Sequence, residues 1–95
     1  MSNFEEVAQA TMHVDSGETW QLTYLLQAID TQEGIAYGLV IHKQHPAGTL
    51  AESADTGAFT PERDTALRMA HAFAAGTVPP GVLLEMADDW LCTAG

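Results

Sequence analysis

The chain is poor in cysteine and in basic residues. Cys92 is its single cysteine, so no disulfide can form within the chain, and a reducing compartment is indicated. The chain has three basic residues, Lys43, Arg63 and Arg68, and thirteen acidic ones, which gives a net charge of −10 at pH 7. Because nucleic-acid binding draws most of its affinity from lysine and arginine on phosphates, we expect no direct binding to nucleic acid or to an anionic membrane.

The chain also has no long apolar run. Met1 is followed by polar residues with no basic region, a pattern that predicts neither a signal peptide nor a membrane span. The 95 residues, 46% of them hydrophobic, are enough for one modest core. We therefore expect a single small domain over residues 1–95, located in the cytoplasm.

Alternating apolar residues predict two central strands. From Glu18 to Asp30 one face carries mainly apolar side chains and the other mainly polar ones, a pattern typical of a strand. The turn 31–34 leads to a second strand, Ile35 to His42, in which Gly38 indicates a bulge or a close backbone approach. The predicted inner faces are Trp20, Leu22, Tyr24, Leu26 and Ala28, followed by Ile35, Tyr37, Leu39 and Ile41.

The two flanking segments are less regular. Residues 3–14 fit either a short helix, with Phe4, Val7, Ala8 and Met12 on one face, or a strand in which residues 8, 10, 12 and 14 alternate. The strand is favoured, because a turn and another strand follow directly. After a second turn at 43–48, a further strand is expected around Leu50–Ala54.

Residues 60–91 predict two amphipathic helices. Thr60 is expected to cap the first, Pro61 to take its first position, and Gly76 to form a left-handed C-terminal cap. The second helix is expected to open near Pro80. The apolar positions are Ala66, Leu67, Ala70, Phe73 and Ala74 in the first helix, and Val82, Leu83, Met86, Ala87, Trp90 and Leu91 in the second. Strands followed by helices predict an α+β fold: an antiparallel meander of three to four strands with a C-terminal helical hairpin packed on one face.

The predicted strand at 35–41 has a tyrosine-glycine-aliphatic pattern. Near the other end of the chain, Val78-Pro79-Pro80 precedes an acidic and aliphatic helix with Leu83, Glu85, Asp89, Trp90 and Leu91. In both patterns the chain resembles a family of small uncharacterised proteins from Gram-positive bacteria. The resemblance covers residues 20–91 and implies an antiparallel sheet followed by two helices, with no known reaction.

No catalytic or phosphate-binding motif is present in the sequence, and no cofactor is expected. His42 and His45 are weak candidates for a metal site, with His13 joining them if the first and third strands are neighbours, but exposed turn histidines are favoured. His71 with Glu85 is a weak candidate for general base chemistry. The acidic side chains of Glu85, Asp88 and Asp89 are expected to be a solvated helix face, and Cys92 a cysteine at the edge of the core.

The favoured function is a non-catalytic protein-interaction or regulatory module, with a homodimer as the expected assembly. Leu25, Ile29 and Val40 break the polar face of the strands, so another element of the chain or another subunit is expected to cover them. Aromatic residues often anchor interfaces. The candidate interface residues are therefore Trp20, Tyr24, Leu25, Ile29, Tyr37, Val40 and Trp90. Two alternatives stay open: a small metal-binding or hydrolytic protein that uses histidine and carboxylate groups, and a nucleic-acid mimic that binds a basic partner.

Overall fold

The computed structural model describes residues 3–14 and 16–94, and the side chains within these ranges up to residue 90. The elements follow the chain as β1 (Asn3–His13), β2 (Thr19–Thr31), β3 (Gly34–Gln44), β4 (Leu50–Asp55), α1 (Arg63–Ala75) and α2 (Leu83–Ala94), with a 3-10 turn at Pro80–Val82. The strands form one antiparallel sheet in the order β1-β2-β3-β4. The predicted α+β class and meander are confirmed, and residues 3–13 form the favoured strand.

The core lies between one face of the sheet and the helical segment. Leu22 and Tyr24 of β2 and Leu39 and Ile41 of β3 have no exposed surface. They share one apolar cluster with Met69, Ala70 and Phe73 of α1, with Val78, and with Leu83 and Ala87 of α2. Strand alternation directs the middle of this face into the cluster, as the sequence pattern predicts. Ile35, also predicted to face inward, is 53% exposed, because it lies at the end of β3 beside the β2–β3 hairpin.

The two helices have different neighbours in the sheet. α1 lies across β1, β2 and β3, whereas the 3-10 turn and α2 lie against β4, and the turn also contacts β3. The prediction of two C-terminal helices is therefore confirmed. These contacts do not show the helices packed against each other as a hairpin on one face.

The start of α1 differs from the prediction. The helix begins at Arg63, and its N-cap, Glu62, makes no side-chain capping bond. Thr60 is not available as a cap because its backbone belongs to the sheet: Tyr37 N–H donates to Thr60 O at 2.7 Å. The Thr60 hydroxyl still accepts a backbone N–H, that of Glu62, at 3.2 Å, but it does so in a turn before the helix.

The end of α1 also differs. Gly76 has φ −90°, and the left-handed residue is Thr77, with φ 55°. The N–H groups of Thr77 and Val78 donate to the carbonyls of Ala74 and Phe73 at 3.1 and 3.0 Å. This is the pattern of a Schellman motif, which requires one left-handed residue directly after the cap. Here a threonine occupies the position that usually favours glycine.

The buried face of α2 is narrower than predicted. Leu83 and Ala87 are buried and Trp90 packs against the core, but Val82 and Met86 are 39% and 38% exposed. The 3-10 turn explains Val82, because the change of helix type puts it out of phase with α2. Met86 lies beside the stripe formed by positions 83, 87 and 90. The side chain of Leu91 lies outside the described residues.

Two irregularities shape the sheet. The pairing of β1 with β2 shifts between Glu6 and Ala8, so one extra residue, Val7, reverses the facing of the first part of β1. Near Gly38, the chain after β4 passes so close that a side chain there would collide with the carbonyl of Gly57. The predicted close backbone approach at Gly38 is confirmed.

Candidate interaction surface

The sheet has a second face, opposite the core, against which no helix of the described residues packs. We call it the open face. The register pairs Leu25 with Val40, Gln27 with Gly38, and Ile29 with Ala36 across β2 and β3. On β1, the bulge places Phe4 beside Gln27 and Glu6 beside Leu25.

The open face carries few charges. The strand residues that alternate with the core side chains of β2 and β3 include no lysine, arginine, aspartate or glutamate. Among the described strands, the charged residues on this face are Glu6 on β1 and Asp55 on β4, which are both edge strands. In a chain of net charge −10, the acidic side chains are therefore concentrated elsewhere. The open-face positions of the two central strands are Gln21, Thr23, Leu25, Gln27, Ile29, Ala36, Gly38, Val40, His42 and Gln44.

The centre of the open face is apolar. Val40 is 5% exposed, while Leu25 and Ile29 across from it on β2 are half-buried. Phe4 is 56% exposed, although phenylalanine is a residue that proteins tend to bury. Leu25, Ile29 and Val40 thus lie on one face, but Val40 is already buried by the chain itself, so Leu25 and Ile29 are the two that keep surface for a partner to cover. Phe4 is a further apolar residue of the open face, and the sequence pattern does not identify it as one.

The aromatic candidates lie on the other side of the sheet. Tyr24 is fully buried in the core and so has no surface to offer a partner. Tyr37 lies on the same face of β3 as Leu39, half-buried, and Trp90 packs against the core from α2. Even-numbered positions of β2 face the helices, which places Trp20 on that side as well. The predicted interface set therefore divides into an open-face group and a helical-side group.

Trp20 makes a small surface cluster at the β3–β4 turn. Its ring centre lies 4.0 Å from that of His45, with the planes tilted by 41°, and Lys43 Nζ lies 4.8 Å from the Trp20 ring. Lys43 is also 3.9 Å from Glu52 across the β3–β4 pair. These contacts cover the indole on the helical side of the sheet, so they stabilise the turn at residues 45–49.

The Tyr24 hydroxyl links the sheet to the segment between the helices. It donates a hydrogen bond to the carbonyl of Val78 at 2.8 Å, directly after the left-handed Thr77. Burial raises the pKa of Tyr24 to about 12, and the hydrogen bond to Val78 opposes part of that rise. The hydroxyl acts as a structural anchor, since its hydrogen-bond partner is a backbone carbonyl of the neighbouring segment.

The histidines and carboxylates do not converge. Among the side chains that the structure describes, in residues 3–14 and 16–90, no three of histidine, aspartate or glutamate are grouped as metal ligands. β2 separates β1 from β3, so the condition under which His13 would join His42 and His45 is not met. His71, Glu85, Asp88 and Asp89 are exposed on the helices, which agrees with the solvated face expected for the three acidic residues. The side chain of Cys92 lies outside the described residues.

Two grooves lie near the β2–β3 hairpin. The larger, of about 510 Å³, is formed by the hairpin and by residues 58–61. The smaller, of about 200 Å³, lies between β1 and the start of α1. At its edge Arg63 makes two hydrogen bonds to the Glu5 carboxylate, at 2.8 and 3.0 Å, and this carboxylate raises the pKa of Arg63. Neither groove brings together groups suited to catalysis.

Comparison with known proteins places the chain in a family. The model of DUF6514, a family of unknown function, matches residues 5–93, so the chain belongs to that family. This confirms the expected membership of a family without a known reaction. No curated protein and no solved structure matches. Among the described residues, no helix has the length and apolar character needed to cross a membrane.

Proposed function

We propose that the protein is a non-catalytic interaction module that binds a protein partner through the open face. The observation that carries the proposal is the segregation of charge: a chain with thirteen acidic residues keeps the central strands of one sheet face free of them. A face with an apolar centre and a polar surround, in which Glu6 and Asp55 are the charged positions of the described strands, has the composition of a protein interface.

Antiparallel sheets often leave one face exposed to solvent, and the strand positions on that face are then usually polar. The open face departs from that pattern at Leu25, Ile29 and Phe4, which keep exposed surface, and at Val40, which the chain itself already buries. Solvent exposure of a grouped apolar surface is unfavourable by about 25 cal/mol per Å², and grouped apolar patches mark interaction sites. A protein that covers this patch would remove it from water.

The metal-binding and hydrolytic alternative has less support. His42 is on the open face of β3, while His45 packs against Trp20 on the other side. A zinc site needs three or four ligands directed at one point, and the described side chains are not grouped in that way.

Photo-cross-linking in the native cells tests the proposal. A benzophenone amino acid at Gln27, on the open face, is compared with the same probe at Arg68, an exposed residue of α1. We expect protein adducts from position 27 and few from position 68. Adducts that form equally from both positions, or only from position 68, would contradict an interface on the open face.

A further inference from the structure

We propose that the partner of the open face is a second copy of this chain, so that two sheets pack face to face in a symmetric homodimer. This inference rests on the proposed function, because it names the occupant of the same surface. Three observations carry it: the charge distribution, the dimensions of the face and the position of its apolar residues.

Charge decides which surface two identical copies can share. Each copy carries a net charge of −10, so most orientations bring like charges together. The exception is the open face, where the central strands have no charged residue and the acidic side chains Glu6 and Asp55 lie on edge strands. A basic partner would be drawn to the acidic surfaces instead, which gives it no reason to select a neutral face.

The dimensions fit a small, stable interface. Three strands of 11 to 13 residues and the shorter β4 form the face. With strands about 4.8 Å apart and about 3.3 Å per residue, the face measures about 600 Å². Stable complexes bury about 600–1,000 Å² on each partner, so only a sheet-to-sheet arrangement comes near the lower end of that range. The chain itself already covers Thr23, Gly38 and Val40 on this face.

The apolar residues are placed for a two-fold arrangement. Leu25 and Val40 are paired on the two central strands, and Glu6 and Asp55 lie at the two ends of the same row. A two-fold axis that crosses the strands near Gln27 brings Leu25 of each copy toward Ile29 of the other and keeps these carboxylates from facing their own copies.

Ile29 and Phe4 extend the apolar patch toward the β2–β3 hairpin. Toward the other end, Gln21 and Gln44 supply hydrogen-bonding groups for a polar rim, and Leu50, which is 51% exposed, lies beside Gln44. Packed sheets lie about 10 Å apart at about −30°.

The test is the mass in solution by light scattering over a wide range of concentrations. We expect a mass of twice 10.2 kDa for the natural chain. Leu25→Glu places an unpaired charge in the interface and should weaken the dimer by about a hundredfold or more. Leu84→Glu is the matched control: it makes the same chemical change at a leucine that is 60% exposed on α2, and it should leave the dimer intact.

A second variant covers the case in which Leu25→Glu fails to fold. Gln27→Glu adds the same charge to the open face with almost no change of shape, and it should also weaken the dimer. A natural chain that is monomeric at every concentration would overturn the inference. So would a dimer that persists in folded Leu25→Glu and Gln27→Glu, or one that Leu84→Glu dissociates equally.

The cross-linking probe at Gln27 separates this inference from the proposed function. An adduct of twice the chain mass supports both. An adduct with a different protein, together with a monomeric natural chain, leaves the interaction module standing and overturns the homodimer. If position 27 gives no more adduct than the control position 68, both the proposed function and the homodimer are contradicted.

Discussion

At the scale of single residues, Thr77 is the position where backbone geometry and residue type disagree. A β-branched residue at φ 55° is strained, because its Cβ crowds the backbone in the left-handed region. Thr77→Gly relieves that strain and should raise the free energy of unfolding by about 1 kcal/mol. For a domain of this size the gain corresponds to about 4–8 °C in melting temperature, which calorimetry measures directly.

The neighbouring glycine supplies the control. Gly76 has φ −90°, and an added Cβ would meet its nearest atoms at ordinary distances of 3.6 to 3.8 Å. Gly76→Ala should therefore cause no loss of stability. The opposite result would be an unchanged melting temperature in Thr77→Gly and a lower one in Gly76→Ala. It would show that Gly76, and not Thr77, is the left-handed residue.

Tyr24 makes the free energy of unfolding fall at alkaline pH. Its pKa is about 12 in the folded protein, against 10.0 for an ordinary tyrosine, so the folded state resists loss of the phenol proton. The stabilisation is fully present below pH 10 and is lost as the pH rises toward 12, up to a total of about 2–3 kcal/mol. Denaturant titrations at pH 8 to 12 should show this decline.

Tyr24→Phe checks the assignment. The variant leaves the Val78 carbonyl without its hydrogen bond in a buried place, which should cost about 1–3 kcal/mol at pH 8. It should also remove the part of the alkaline decline that Tyr24 causes. Tyr37→Phe should keep that decline, and a decline that disappears in Tyr37→Phe instead would assign it to the other tyrosine.

The residue types at the two ends of α1 predict only part of how the helix begins and ends. Thr60, Pro61 and Gly76 have the right chemistry for helix ends, yet the helix begins at Arg63 and its left-handed residue is Thr77. The cause is tertiary: the backbone of Thr60 is held by Tyr37 of β3. A contact between residues so far apart in the chain leaves no signal in the local sequence.

At the scale of elements, the passage from β4 to α1 depends on Gly38. Thr56 fixes this passage: its hydroxyl accepts Leu39 N–H at 3.0 Å and donates to Gly57 O at 2.7 Å. A methyl group at position 38 would collide with the Gly57 carbonyl. Gly38→Ala should therefore lower the free energy of unfolding by about 1–3 kcal/mol, as measured by urea denaturation.

Gly81→Ala is the matched control for Gly38→Ala. Gly81 is outside the left-handed region, and an added Cβ would meet only a carboxylate oxygen of Glu52, at 3.7 Å. This substitution should change the free energy of unfolding by less than about 0.5 kcal/mol. Equal losses in the two variants would mean that the Gly57 carbonyl can move aside at little cost.

Strands are the elements that the sequence predicts best. Alternation over 18–30 and 35–42 predicts β2 and β3 to within two residues of their ends, because burial of one face imposes a period of two. Phe4 is missed for a specific reason. Counting back from Met12 by twos puts position 4 on the core side, but the extra residue at Val7 reverses the facing. A bulge changes which side chains are exposed without changing composition.

At the scale of the whole molecule, charge and apolar surface are separated. The sequence shows the −10 charge and the unusual Leu25, Ile29 and Val40, but which residues share a surface depends on the register. The register pairs Leu25 with Val40 and leaves Glu6 and Asp55 on edge strands. The aromatic candidates fall on the helical side for the same reason. Apolar character alone does not distinguish a core tyrosine such as Tyr24 from an interface residue.

The same separation predicts how salt affects the homodimer. Two copies that meet through neutral faces gain no ion pairs, yet each brings a charge of −10 close to the other. Salt screens that repulsion, because the screening length falls from about 30 Å at 0.01 M to about 8 Å at 0.15 M. The dissociation constant, measured by sedimentation, should therefore fall on the order of several-fold as salt rises. A dimer joined by ion pairs would weaken under the same change, and a dissociation constant that rises with salt would rule out the neutral-face arrangement.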